Sequence, residues 1–441
     1  MQLTSLLQAS QTMLAEALPI VYFVFLALMF CAGIVRLILL GRATISLRAH
    51  VRSLRSVDYR RFQDSEHVIP VSLILPATNE KKSLLEAVEN LLNLDFRQYE
   101  LIVVANSAHT EAWSDLREAY NLLPFRQPFK RTLKSAPMEV VYRSAKDVRL
   151  VVLDVRDTSR AGALNAGVNV SSYPIIAPVF ADLRLSRDAL LKTVYAFVSD
   201  PTCVFIGSFA RIGTTPEAGE KLPVLAHQQA IERLRLFYTN RAGYKTIGQY
   251  LPLSNTFSAF LKSAVFEAGG FSAEAAAETS DLLLRIHARY IKEKRAYCAR
   301  LLPDAVCVQL PQQKMRCVCA EIRAGQRGMR NTVLRNKAVL RTLRGVRYTR
   351  FAEKVWPFIE LLGVLLVIIS ALLGAVPALF AGLYLLLGAL LGAIQSVLAV
   401  LLEEYAFLRQ TDTGALLKRY VLAIFDSVWY RLRTTMARVF S

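Results

Sequence analysis

Residues 18–40 read LPIVYFVFLALMFCAGIVRLILL, an apolar run carrying one charge, Arg36, near its end. Wound as a helix, such a run covers the roughly 30 Å of a bilayer's hydrocarbon core. No other feature narrows the possible folds as much, because in lipid every backbone polar group must find its partner within the segment. A secretory leader is excluded by the length of the run and by the lack of a small-residue cleavage site. Arg36 is expected to snorkel toward the headgroups. Two further apolar segments, 356–374 and 376–402, are separated only by a short uncharged turn and read as a transmembrane hairpin. With these segments the chain is 54% hydrophobic, more than an ordinary soluble enzyme.

Basic residues orient the segments. Nothing before the first span is basic, whereas Arg42, Arg48, Arg52, Arg55, Arg60 and Arg61 follow it, and Lys337, Arg341, Arg344, Arg347 and Arg350 precede the hairpin. The positive-inside rule then divides the chain into an extracytoplasmic segment 1–17, a span 18–40, a cytoplasmic domain 42–355, a hairpin 356–402 and a cytoplasmic tail 403–441. The expectation is a multi-pass protein of the cytoplasmic (inner) membrane with its N-terminus outside. The tail places Leu417, Val421, Ile424, Phe425, Val428 and Leu432 at helical spacing, with Lys418, Arg419, Arg431, Arg433 and Arg438 on other faces. That pattern predicts an amphipathic helix on the membrane surface, with docking on the cytoplasmic domain as the alternative.

A net charge of +19 suits an anionic membrane surface. It does not indicate nucleic acid, because the basic clusters flank the spans and no basic strand interleaved with aromatics occurs. The six cysteines form no zinc pattern: Cys317 and Cys319 are too close together and Cys31 lies within a span. They are expected as free thiols in a reducing compartment. His109, His227 and His287 have no metal-ligand spacing.

Within 42–355 strands and helices alternate. VSLILPA (71–77), ELIVVA (100–105), RLVVLDV (149–155), PIIAPVF (174–180) and CVFIGSF (203–209) read as strands. Helical stretches follow around Leu84–Leu92, Trp113–Tyr120 and Ala161–Val170. Apolar runs buried on both faces and separated by helices predict an α/β domain with a mostly parallel, doubly wound sheet. In such sheets ligands sit beyond the carboxyl ends of the strands, here PATNE (76–80), ANS (105–107) and FAD (180–182).

The ordered set ILPATNE, LIVVANS, SRAGALNAG, FADLRLSRDAL, GGF and ETSDLLLRIH resembles the membrane-embedded processive synthases of glycosyltransferase family 2. The resemblance is to the bacterial exopolysaccharide branch that makes poly-N-acetylglucosamine, and more distantly to cellulose and hyaluronan synthases. It implies a GT-A fold (nucleotide-diphospho-sugar transferase-like) for the cytoplasmic domain, and it covers the layout of span, domain, hairpin and interfacial helix. It also implies nucleotide contacts from Thr78, Asn79, Glu80, Asn106 and Arg160, the last standing where the family has lysine.

The family's chemical groups are mostly replaced. Asn106-Ser107-Ala108 stands for Asp-Gly-Ser, which removes a charge. In the metal-binding Asp-x-Asp, Phe180 replaces the first acid and Asp182 keeps the second. One carboxylate leaves only a weak, residual metal site, for Mg or Mn if the chain were active. The catalytic base falls at Thr279, which cannot act as a base near neutral pH, while Asp281 matches a later acid facing elsewhere. Gln-x-x-Arg-Trp falls on Ala320, Arg323 and Ala324 in one register and on Glu321, Ala324 and Gly325 in the other, with no aromatic platform in either. Ser254-Asn255-Thr256-Phe257-Ser258 adds side chains where the family has glycines.

These losses predict a pseudo-synthase, a membrane subunit that scaffolds or regulates an active synthase or another exopolysaccharide subunit. One alternative is a divergent active transferase using a UDP-sugar, with Asp182 and Glu278 or Asp281 in new roles. The other is a nucleotide- or sugar-sensing module resting on Thr78, Asn79, Glu80 and Arg160.

Overall fold

The computed structural model describes residues 2–55, 57–77, 84–107, 113–125, 131–156, 159–213, 223–240, 256–273, 275, 278–335, 348, 351–374, 376–407, 413–426 and 429–440. Its first element, α1 (Gln2–Arg55), is one unbroken helix that extends past both ends of the apolar run. Helix α2 (Tyr59–Gln63) follows, capped by the Asp58 side chain, which accepts from the Arg60 and Arg61 amides.

The α/β domain then alternates β1 (Val71–Ala77), α3 (Leu84–Leu92), β2 (Tyr99–Ala105), α4 (Trp113–Tyr120), β3 (Leu122–Pro124), β4 (Met138–Ser144) and β5 (Leu150–Val155). Its second half holds α5 (Arg160–Val170), β6 (Ile175–Pro178), β7 (Leu183–Leu185), α6 (Ala189–Val198), β8 (Cys203–Ile212), α7 (Val224–Asn240), β9 (Ser258–Leu261), α8 (Lys262–Glu267), α9 (Glu278–Lys292) and β10 (Cys298–Gln309). Helix α10 (Met315–Arg335) leads on to a π turn at Phe351–Val355. The chain closes with α11 (Trp356–Leu372), α12 (Ala378–Phe407), α13 (Thr413–Phe425) and α14 (Tyr430–Val439).

The strands form one sheet in the order β3-β4-β5-β2-β1-β6-β9-β8-β10-β7. β5, β2, β1 and β6 pair in parallel at its centre, as do β8 and β10. β4, β9 and β7 pair antiparallel with their neighbours. The sheet is thus mixed but mostly parallel in direction, as the continuous apolar runs predict.

Alternation along the strands builds two cores. Leu73, Leu75, Leu101 and Val103 pack on one face with α3 and α6. Ile74, Ile102 and Val104 pack on the other with α5 and α9, and that cluster continues into Leu40, Ala43 and Leu47 of α1, Ala399 and Val400 of α12 and Ala423 of α13. The cytoplasmic ends of the apolar helices are therefore part of the domain's own core. His50, near the end of α1, bonds to Asp304 of β10.

Two helices, at Ile20–Arg52 and Ala378–Ala406, are long and apolar enough to cross a membrane; α11 is a shorter apolar helix. The turn between α11 and α12 is closed by Gly374, whose φ of +71° suits a residue without a Cβ just past a helix end. Arg36 does not reach outward as expected. Its guanidinium stacks on Trp356 at 5.6 Å and lines a polar cavity with Glu360, Gln395 and Arg431. A ring face and a nearby carboxylate compensate the charge locally, so it has no need to extend to the headgroups.

The tail differs from the single expected helix. It breaks between α13 and α14, and both pieces dock by their polar faces. Asp426 pairs with Arg235 of α7 at 3.1 Å, the Tyr430 hydroxyl donates to Glu232 at 2.8 Å, and Arg438 pairs with the same Glu232. Leu417, Val421, Ile424, Phe425, Trp429 and Phe440 remain exposed along the outer side. The two alternatives for the tail thus describe two faces of one element.

Candidate functional site

The site lies where β6 ends. The Val179 amide still bonds to the Ile74 carbonyl at 2.9 Å, and the Leu183 amide then closes a turn on the Phe180 carbonyl at 3.0 Å. That turn sets Phe180 and Asp182 two residues apart at the sheet's carboxyl edge. Phe180 is 8% exposed and packs into the core on the α3 and α6 face. Arg160, at the start of α5, lies over its ring at 5.0 Å. A guanidinium thus occupies the space beside the position of a first metal ligand.

Asp182 is half-buried. Its carboxyl is pushed above the usual carboxylate range, first by burial and then by Glu321, while Arg160 and Arg233 pull it back. Register explains how these distant residues meet. Gln309 at the end of β10 pairs with Leu183 of β7, and the Leu310 amide reaches the Asp182 carbonyl at 3.4 Å. Arg233 of α7 donates to the Gln309 side chain at 2.6 Å and lies 3.7 Å from Glu321 of α10. Gln309 in turn donates to Glu321 at 3.3 Å. Gln229, one turn before Arg233, holds the Gln312 backbone through both its side-chain atoms and fixes α7 against the segment after β10.

Of the two registers for the Gln-x-x-Arg-Trp segment, the structure turns Glu321 toward Asp182, while Ala320 is solvent-exposed. Arg323 faces away, into a groove shared with Arg433 and Phe440.

Asn106 ends β2 buried, and its amide donates to the Arg156 carbonyl at 3.1 Å. Beside it the Ser107 amide donates to Asp154 at 3.0 Å. Asp154 is a buried acid at the end of β5 that motif reading passes over. Its one signal in the sequence is an acid ending an otherwise apolar strand. Thr78, Asn79 and Glu80 lie outside the described residues, as do Ser254 and Asn255. Thr279 stands half-buried in the first turn of α9. Asp281 is buried and pairs with Arg285 at 2.8 Å, and Arg285 also bonds to the Ala268 and Gly270 carbonyls. That acid anchors a loop. The ring of His287 shares a 2.7 Å hydrogen bond with the Tyr297 hydroxyl, a packed histidine rather than a ligand.

The SRAGALNAG motif has a structural explanation. Asn165 accepts from the Phe271 amide at 2.8 Å and donates to the Lys134 and Phe271 carbonyls, both at 2.9 Å. It thereby pins the GGF loop. At Gly167 a Cβ would lie 2.5 Å from the Ile74 side chain, so only glycine lets α5 approach β1 so closely.

A domain with this sheet order and this strand-end site matches the glycosyl transferase family 2 model over residues 72–266. Residues 72–266 are a glycosyl transferase family 2 domain. The poly-beta-1,6-N-acetyl-D-glucosamine synthase of Staphylococcus aureus is 20% identical over 240 residues, 54% of this chain and 51% of the relative. The Staphylococcus epidermidis enzyme of that name is 22% identical over 251 residues, 55% of this chain and 53% of the relative. The chain therefore spans about half the length of the curated relatives it matches. Among solved structures, a mannosyltransferase from Pyrobaculum calidifontis covers 90% of this chain and 99% of its own, with TM-score 0.51 and 16% identity. That likeness establishes a GT-A-type fold.

The family implies a divalent cation at the strand end, and the residues here do not fit one. No group of three or more potential ligands occurs among the described residues. The two acids, Asp182 and Glu321, face two guanidinium groups, Arg160 and Arg233, so the cluster carries no surplus negative charge to draw a divalent ion. The remaining functional groups are cationic and hydrogen-bonding.

Proposed function

We propose that this chain is a catalytically inactive, membrane-embedded synthase-like subunit of an exopolysaccharide system, which scaffolds or regulates an active partner synthase. On this reading α1 and the α11–α12 hairpin cross the inner membrane, the N-terminus lies outside, and the family 2 domain and docked tail face the cytoplasm. The distant likeness to poly-N-acetylglucosamine synthases supports the exopolysaccharide setting.

The observation that carries the reading is Phe180. It stands in the first acid's place, sunk into the core, with Arg160 stacked on its ring. Metal-assisted departure of a nucleoside diphosphate needs hard oxygen ligands at that position, and an aromatic ring supplies none. Other features agree. The base position is Thr279, and the nearby Asp281 is committed to Arg285.

The test is sugar release from several UDP-sugars by the purified chain in nanodiscs with magnesium or manganese. The expected result is none above the rate without protein, together with co-purification of a motif-complete synthase from the native membrane. Turnover abolished by Asp182→Ala would refute the proposal.

A further inference from the structure

The four charges at the end of β6 are unequally committed. Arg233 is held by Gln309 and lies 3.7 Å from Glu321. Arg160 has no ion-pair partner among the described residues; its contact is the π face of Phe180, with Asp182 near enough to feel its charge. It is solvent-exposed, at the carboxyl edge of the sheet, where ligands of open α/β folds bind. A guanidinium flat on a ring keeps its N–H edge pointing outward. That edge is the fork that meets two phosphate oxygens at once. Arg233, within reach of the same acid, is a second cation that an arriving anion can recruit from Glu321.

We propose that this cleft binds the diphosphate of a nucleoside diphosphate, free or sugar-linked, without a divalent metal, with Arg160 braced on Phe180 supplying the counter-charge and Arg233 assisting. The inference rests on the family 2 reading of the domain and deepens the proposed function, since it gives a chain without transfer chemistry a ligand to respond to. Phe180 is then a functional replacement: an acid there would draw the Arg160 guanidinium into an ion pair and away from the phosphates, whereas a ring holds it without neutralising it. No bond is made or broken in the step.

The test is calorimetric titration of the full chain in nanodiscs with UDP and GDP, in EDTA and again in magnesium or manganese. We expect binding of at least one nucleotide with a Kd that changes less than about twofold on adding metal. Arg160→Gln should weaken it by about tenfold or more, the loss expected when one charge-assisted contact goes. Arg160→Lys should recover part of the affinity, which a merely structural role at an exposed position would not require. Phe180→Asp should lose affinity in EDTA and regain it in manganese.

Binding seen only with metal, or unchanged by Arg160→Gln, overturns the inference. Failure to bind either nucleotide under any condition also overturns it, while leaving the inactive-subunit proposal standing. Sugar transfer sustained in EDTA and lost in Arg160→Gln would support metal-free binding and refute inactivity.

Discussion

Removing one partner of the Arg235–Asp426 pair should cost far more than removing both. The two groups lie 3.1 Å apart, 7% and 0% exposed, where α7 meets the break between α13 and α14. Ser396 of α12 shares the site, 3.2 Å from Arg235 and 3.5 Å from Asp426. Burial pushes the Asp426 carboxyl up and the Arg235 guanidinium down from their ordinary values, so each ion stays charged largely because of the other. Asp426→Asn leaves Arg235 buried with a neutral partner, and Arg235→Met leaves a buried carboxylate with only Ser396. Each should cost about 3–5 kcal/mol, whereas the double variant Arg235→Met/Asp426→Leu should fall within about 1 kcal/mol of the parent.

For 441 residues, an unfolding entropy of about 2.1 cal/mol/K per residue sums to about 0.9 kcal/mol/K, so each single variant should melt about 3–5 °C lower. The assay is thermal unfolding of the full chain in nanodiscs at one scan rate, read by loss of the monodisperse chromatographic peak. Singles within 1 °C of the parent, or a double variant that falls by the sum of the singles, would refute the claim that the pair is desolvated and coupled.

Other consequences can be measured independently. Gly167→Ala should destabilise by about 1–3 kcal/mol, since its Cβ would sit 2.5 Å from Ile74, and Ile74→Ala in the same chain should relieve the clash; equal melting of parent and Gly167→Ala would contradict this packing. Asn165→Ala should lower stability by about 3 kcal/mol and increase proteolysis near residue 270, because three hydrogen bonds to backbone are lost. Asp182 has a raised folded pKa, so its contribution is full below the unfolded carboxylate value and declines as pH rises through the folded one. Asp182→Asn should therefore melt above the parent at pH 7, with the gap closing toward pH 3.5, and a gap that widens in acid would invert the assignment. Burial raises the Cys307 thiol to about 11 and the Cys203 thiol to about 12, so maleimide at pH 7.5 should label exposed Cys317 and spare both until the chain is unfolded.

Strand β1 was legible to the residue because both its faces are buried and nothing in 71–77 is charged. The other parallel strands were legible for the same reason. β10 was hidden by Pro303 and Asp304 in mid-strand, and the structure shows why they are tolerated: the pairing with β8 slips between Leu302 and Cys307, a bulge that needs no ladder donor from proline. β3 and β4 lie at the sheet edge, where polar residues break the apolar pattern, and β7 has only three residues.

At the site, Phe180 and Asp182 could be placed from local pattern alone. Arg233 and Glu321 could not, because they arrive from helices whose approach is set by β10 register and by Gln229 holding the loop after it. The break in the tail has a similar origin: the helical pattern continues through Asp426, but the buried Arg235 draws that residue inward and the chain turns there.

α1 is a continuous helix of 54 residues, about 80 Å at the usual rise. Its lower end is fastened twice, by Leu40, Ala43 and Leu47 in the domain core and by His50 on Asp304. Asp304 belongs to β10, five residues before Gln309, which holds Arg233 and Glu321. A rod with no hinge delivers a tilt at one end as a displacement at the other. If α1 crosses the bilayer as proposed, the thickness of the surrounding lipid, which sets helix tilt, becomes a mechanical input to the strand that carries the site.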